Sequence, residues 1–162
     1  MISLMYLLEG ARDDAPSQLQ ALVKRAYGQE GKLIRDNDPG YTTIELNDGW
    51  TLAFIHRPSN YLEPMSKEDR LAVLNSIRDP EQRNLFESHQ AWLSVDVLQR
   101  PPGADEEAAY ARLGLLMAEL AGPDVLAIMH PDSNRFFAFE AKMVEALRRP
   151  GYLVELGFRP RP

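Results

Sequence analysis

An eleven-residue pattern occurs twice in this chain. Leu52-Ala53-Phe54-Ile55-His56-Arg57-Pro58-Ser59-Asn60-Tyr61-Leu62 aligns with Leu126-Ala127-Ile128-Met129-His130-Pro131-Asp132-Ser133-Asn134-Arg135-Phe136. Leu, Ala, His, Ser and Asn are shared, and three further positions are apolar in both copies. Internal repetition constrains architecture more than any single residue does, because each copy has to bury an equivalent face. The context extends the match. A strand pattern and an amphipathic helix precede each copy, and a helical pattern follows each, from Ser66 and from Glu140 to Arg149. The expectation is two related α/β halves within one compact domain, 1–162. They run approximately from 1 to 76 and from 89 to 158, and in each a buried strand ends in a histidine and turns at Ser-Asn.

Periodicity supplies the elements. Ile2 to Leu8 is a short apolar run, hence a strand rather than a signal peptide, since it lacks a basic leader and is followed by Glu9, Asp13 and Asp14. Pro16 suits a first helical position, and Leu19, Leu22, Val23, Ala26 and Tyr27 form one helical stripe that Gly28 ends. Three strands follow: Lys32 to Arg35, Tyr41 to Leu46 and Trp50 to His56. A turn at Asp36 to Gly40 separates the first two, and an Asn47-Asp48-Gly49 hairpin joins the last two. Ser66 and Pro80 open two helices in the middle, which connects the halves from Glu63 to Gln90. Ala91 to Leu98 is a strand and Asp105 to Leu120 the strongest helix. Val125 to His130 is the repeated strand, and a helix runs from about Phe139 to Arg149. Tyr152, Val154, Leu156 and Phe158 alternate, which predicts a last strand, with a helical turn as the alternative, before a frayed tail from Arg159 to Pro162.

This order predicts an α+β fold: a mainly antiparallel sheet with helices packed on one side. Two ferredoxin-like (split β-α-β) halves, as a pseudo-duplication, would satisfy it. His89-Gln90-Ala91-Trp92-Leu93-Ser94-Val95, the helix from Tyr110 to Leu120 and Val125-Leu126-Ala127-Ile128 together resemble an uncharacterised family of bacterial α+β domains. In that family a His-x-Ala strand, a long helix and a second strand follow in this order. The likeness covers mainly residues 89–150 and rests on hydrophobic pattern. It implies the fold and brings no activity and no catalytic residue.

Composition removes several function classes. The chain contains no cysteine, so disulfides, thiolate metal sites and cysteine nucleophiles are excluded, and a cytoplasmic location is expected. A net charge of −6 argues against nucleic acid as a partner, since phosphate-backbone binding needs a clustered basic surface. Arg148, Arg149, Arg159 and Arg161 read as helix-end and tail cations. No run approaches the ~18 apolar residues of a membrane helix. Phosphate-binding glycine loops are missing, so no nucleotide cofactor is expected.

Residues able to carry chemistry are few. His56 and His130 sit at strand ends, where pockets open, and a neutral imidazole can ligate a metal or act as a general base. Asp132 or Glu63 would complete such a site. The competing reading is backbone capping, and with no His-x-x-x-His spacing no metal is expected. Ser59-Asn60 and Ser133-Asn134 read as turn formers, since neither serine has a nucleophile elbow. Asp96 shares a strand face with Trp92 and Ser94, on the solvated side of the sheet or on a cleft wall. Trp50, Tyr61, Trp92, Phe136 and Phe137 could floor a groove or fill a core. The candidate pocket is therefore His56, His130, Asp96, Asp132 and Trp92. The expected function is a non-enzymatic module that binds a protein or a small ligand. The alternatives are a small hydrolase or lyase with a His/carboxylate site and a structural homodimer.

Overall fold

Seven apolar or alternating segments pair edge to edge: β1 (Ile2–Leu8), β2 (Gly31–Arg35), β3 (Tyr41–Leu46), β4 (Thr51–Arg57), β5 (Ala91–Gln99), β6 (Val125–His130) and β7 (Arg135–Ala138). The computed structural model describes residues 2–12, 15–35, 40–133 and 135–158. The expected turn at Asp36 to Pro39, Asn134 and the tail from Arg159 to Pro162 lie outside them. The strands form one open sheet of order β2-β3-β4-β5-β1-β6-β7, antiparallel throughout. The centre follows from composition. Every residue of β1 is buried, as a strand apolar at all positions but Ser3 requires if both its faces are to leave water.

Among the described residues six α-helices cover the sheet: α1 (Pro16–Tyr27), α2 (Lys67–Ser76), α3 (Pro80–Ser88), α4 (Glu106–Leu120), α5 (Met143–Leu147) and α6 (Tyr152–Glu155). Local signals set their ends. Pro16 opens α1, and Gly28, at φ +68°, closes it by donating its N–H to the Lys24 carbonyl. The side chains of Ser66, Asp79 and Asp105 accept first-turn amides of α2, α3 and α4. Gly49, at φ +88°, turns the β3–β4 hairpin.

The expectation of helices on one side is corrected. Helices α1, α4, α5 and α6 share a core with Leu4, Tyr6, Leu52, Phe54, Leu93 and Val95 on one face of the sheet. Helices α2 and α3 pack on the other, where Leu74, Ile77 and Phe86 meet Met5, Leu7, Ala127 and Met129. The physical reason is that β1 and β6 are apolar on both faces, and one helical layer would leave the second stripe in water. Each fully buried Leu or Phe contributes ~1.5–3 kcal/mol, so neither stripe can be left bare.

The architecture is therefore α+β with a continuous antiparallel sheet, and neither half forms a sheet of its own. Strand β5 lies between β1 and β4, and β1 lies between β5 and β6.

The C-terminal expectations also change. Arg135–Ala138 is an edge strand, and the expected helix from about Phe139 shortens to Met143–Leu147. Adjacent Phe136 and Phe137 point to opposite layers. Phe136 meets Phe86 at 5.3 Å and Phe137 meets Phe158 at 5.5 Å between ring centroids, which only an extended backbone allows. The alternation from Tyr152 to Phe158 is a helical turn instead of a strand. Gly151 and Gly157, both in the left-handed region, bracket α6, and Phe158 donates its N–H to the Leu153 carbonyl.

Candidate functional site

The two histidines of the repeat are not brought together. Both project from the face that carries α1 and α4, but His56 stands three strands from His130. Residue His56 pairs with Leu93, Leu93 with Tyr6, and Tyr6 with Ile128, two residues short of His130. Strand spacing and rise put them about 16 Å apart. No proton or metal can be shared across that gap.

His130 is fully buried and held on both ring nitrogens. Its Nε2 lies 3.0 Å from the Tyr110 hydroxyl and its Nδ1 2.7 Å from Ser133 Oγ, with the ring stacked on Phe158. Ser133 Oγ also lies 3.4 Å from the His130 carbonyl. One assignment satisfies all four groups: Tyr110 donates to Nε2, Nδ1–H donates to Ser133, and Ser133 donates to the carbonyl. In that set the serine accepts from the imidazole, so it is not activated as a nucleophile. Burial depresses the His130 pKa, although the nearby Asp132 charge opposes it.

His56 is half-buried, and its Nε2 accepts the Arg12 backbone N–H at 3.3 Å. The Arg12 side chain grips Asp124 through two contacts of 2.6 Å and donates to the Leu120 carbonyl, also at 2.6 Å. The loop after β1 is thereby tied to the end of α4, and the guanidinium holds the Asp124 carboxyl below its usual range. The third histidine, His89, was not among the sequence candidates and is the most tightly used. Its Nδ1–H donates to the Phe86 carbonyl and its Nε2 accepts from the Tyr61 N–H at 2.8 Å. Asn60 Nδ2 donates to the His89 carbonyl at 2.7 Å. These contacts pin the segment after β4 to the start of β5. Burial lowers the His89 pKa too.

Asp96 lies on the opposite face from His130. It is buried, not solvated, and Ser3 and Ser94 donate to its Oδ1 at 2.5 and 3.1 Å. Burial raises its pKa, and those two hydroxyls work against the rise. Asp96→Asn keeps an oxygen for both donors and removes a poorly solvated charge. The expected result at pH 7 is a gain of about 1 kcal/mol in urea denaturation, and a loss of that size would show that the carboxylate itself is required.

Trp92 shares the face of Asp96 but lies four residues along β5, about 13 Å away. It stands edge-on to Tyr61, 5.7 Å between centroids and 85° between planes. With Pro64, Ser59, Glu63 and Arg57 the two rings line a cavity of about 400 Å³. This opening lies where the second helical layer ends: the cluster beneath α2 and α3 draws on β1, β6, β7 and Trp92, and takes nothing from β2, β3 or β4. Trp50, by contrast, is core, with the Arg112 guanidinium 4.9 Å above it. Asp132 is exposed, in the turn that follows β6.

Of the candidate pocket, Trp92 lines an open cavity, where Ser59, Tyr61 and Glu63 join it. Among the described residues no three His, Asp or Glu side chains gather as a metal site, and no helix is long and apolar enough to cross a membrane. No family model, curated protein or solved structure matches the chain.

Proposed function

We propose that this protein is a non-catalytic cytoplasmic binding module whose ligand seats against Trp92 and Tyr61. The carrying observation is the contrast between that open aromatic cavity and the closed hydrogen-bond sets around His130, His89 and Asp96. A cavity of this size with two aromatic rings and a proline in its wall and a few polar groups beside them is the form that small-molecule and peptide-anchor sites take. The two rings, already in edge-to-face contact, offer an apolar surface on which a flat or aliphatic group can pack, and Ser59 and Glu63 supply polar selection. A hydrolase built on His130 and Ser133 is the weaker reading, because substrate would have to displace buried partners on both ring nitrogens.

A thermal-shift screen of metabolites and short peptides tests the proposal. A stabilising compound is expected to lose its effect in Trp92→Ala and keep it in Ser133→Ala, since a ligand that binds only the folded state at 100 times its Kd adds about 2.7 kcal/mol. The reverse pattern would transfer the site to the His130 cluster.

We infer further that the sheet's centre is built from two copies of one split β-α-β unit, carried by the halves near 1–76 and 89–158. Register supports this. A rotation about the middle of the β1–β5 pair exchanges β4 with β6, and exchanges His56 and Phe54 with His130 and Ile128. Those are the pairs that the sequence repeat aligns. An experimental structure in which that rotation failed to superpose Leu52–His56 on Leu126–His130 would end this reading.

A further inference from the structure

Strand β7 closes one side of the sheet and, among the described residues, pairs only with β6. No hydrogen bond from another described residue reaches its outer backbone. Such an edge is a template for one more strand. Beside it, between β7 and the α2–α3 layer, Val73, Ile77, Phe86, Met129 and Phe136 line an apolar groove of about 260 Å³. A second trough of about 370 Å³ shares Ile77 and Phe136 and carries Arg78 and Arg135 at its rim.

Charge selects the occupant. Neither Arg78 nor Arg135 forms an ion pair among the described residues; Arg135 reaches only the Leu156 carbonyl, at 3.5 Å. Asp79, which also lines the trough, is turned to the amides of Glu81 and Gln82 as the N-cap of α3. The edge is thus locally cationic on a chain of net charge −6. A second copy docked antiparallel, β7 to β7, would set Arg135 opposite Ala138 and offer it no carboxylate from Arg-Phe-Phe-Ala. An acidic partner meets the opposite condition.

Parity then sets its pattern. Phe136 faces the groove, while Phe137 and Arg135 belong to the other side of the pleat. A strand laid alongside would place alternate residues over the groove and beside Arg135.

We propose that β7 and its groove receive an extended segment of a partner protein in which apolar and acidic residues alternate. It adds as an eighth strand: backbone hydrogen bonds supply affinity, while the groove and the two arginines supply selection. This surface is separate from the Trp92 cavity, so either can fail without the other.

The probe is a fluorescein-labelled Val-Glu-Val-Glu-Val-Glu-Val amide, followed by fluorescence anisotropy on the full chain. Saturable binding is expected. Replacing every Glu by Lys should weaken it at least about tenfold, and so should Arg135→Glu, with Arg135→Lys restoring most of it. N-methylation of one alternate set of peptide amides should abolish binding, while methylation of the other set leaves it within about twofold, because only one set faces the edge. Three results would overturn the proposal: no saturable binding, equal binding of the Glu and Lys peptides, or equal tolerance of both methylation sets. Sedimentation showing a dimer that the Glu peptide does not dissociate would also overturn it, in favour of a second copy.

Discussion

His130→Ala is expected to destabilise the protein by about 4 kcal/mol, the range for emptying a large buried side chain and stranding its partners. The ring is fully buried against Phe158, and its loss leaves the Tyr110 hydroxyl and Ser133 without their imidazole. Acid should act through the same residue. The folded pKa values of His130 and His89 are both depressed by burial, so the unfolded chain takes up these protons first. Their contribution is complete above the unfolded value, near 6.5, and declines as pH falls below it. Each histidine can steepen the decline by at most about 1.4 kcal/mol per pH unit. Urea denaturation at intervals from pH 8 to pH 5 should show that loss, shallower by one histidine in His130→Ala. Profiles that stay flat and parallel would mean that neither ring is held neutral by the fold. Acidic residues with depressed values, such as Asp124, act at lower pH and do not confuse this window.

Gly114→Ala is expected to cost about 2 kcal/mol, against the ordinary direction for such a change. In a helix interior alanine is favoured over glycine by about 1 kcal/mol, and Gly114 sits in the middle of α4. Here a Cβ would lie only 2.4 Å from the Leu147 carbonyl oxygen, and that oxygen is backbone at the end of α5. The two chains must separate, and overpacking of this kind typically costs ~1–3 kcal/mol before any propensity gain. The strain would spread, because Leu147, Leu153 and Phe158 are all buried beside α4. A urea midpoint that rose in the variant would show that the helices do not approach as closely as described.

Much of the fold was legible because its signals are local. Pro16, Ser66, Pro80 and Gly28 mark helix ends through bonds within a few residues, and β3 alternates because one of its faces is buried. What stayed illegible depends on distant partners. That Asp96 is buried follows from Ser3 standing opposite it, 93 positions away. That α2 and α3 form a second layer follows from Met5, Leu7, Ala127 and Met129 sharing a face, which no window of sequence displays. Tyr152 to Phe158 alternates like a strand, yet two left-handed glycines make it a turn. The same division applies to the site. Trp92 was visible as an aromatic on a polar strand face, but its pairing with Tyr61 depends on His89, which anchors the intervening segment by bonds made after folding.

The most direct measurement follows the two indole N–H resonances by NMR as the best stabilising compound is titrated into the protein. Trp92 should shift in proportion to occupancy, while Trp50 and the His130 ring stay unchanged. Movement at the His130 ring with Trp92 unmoved would place recognition in the buried cluster and contradict the account.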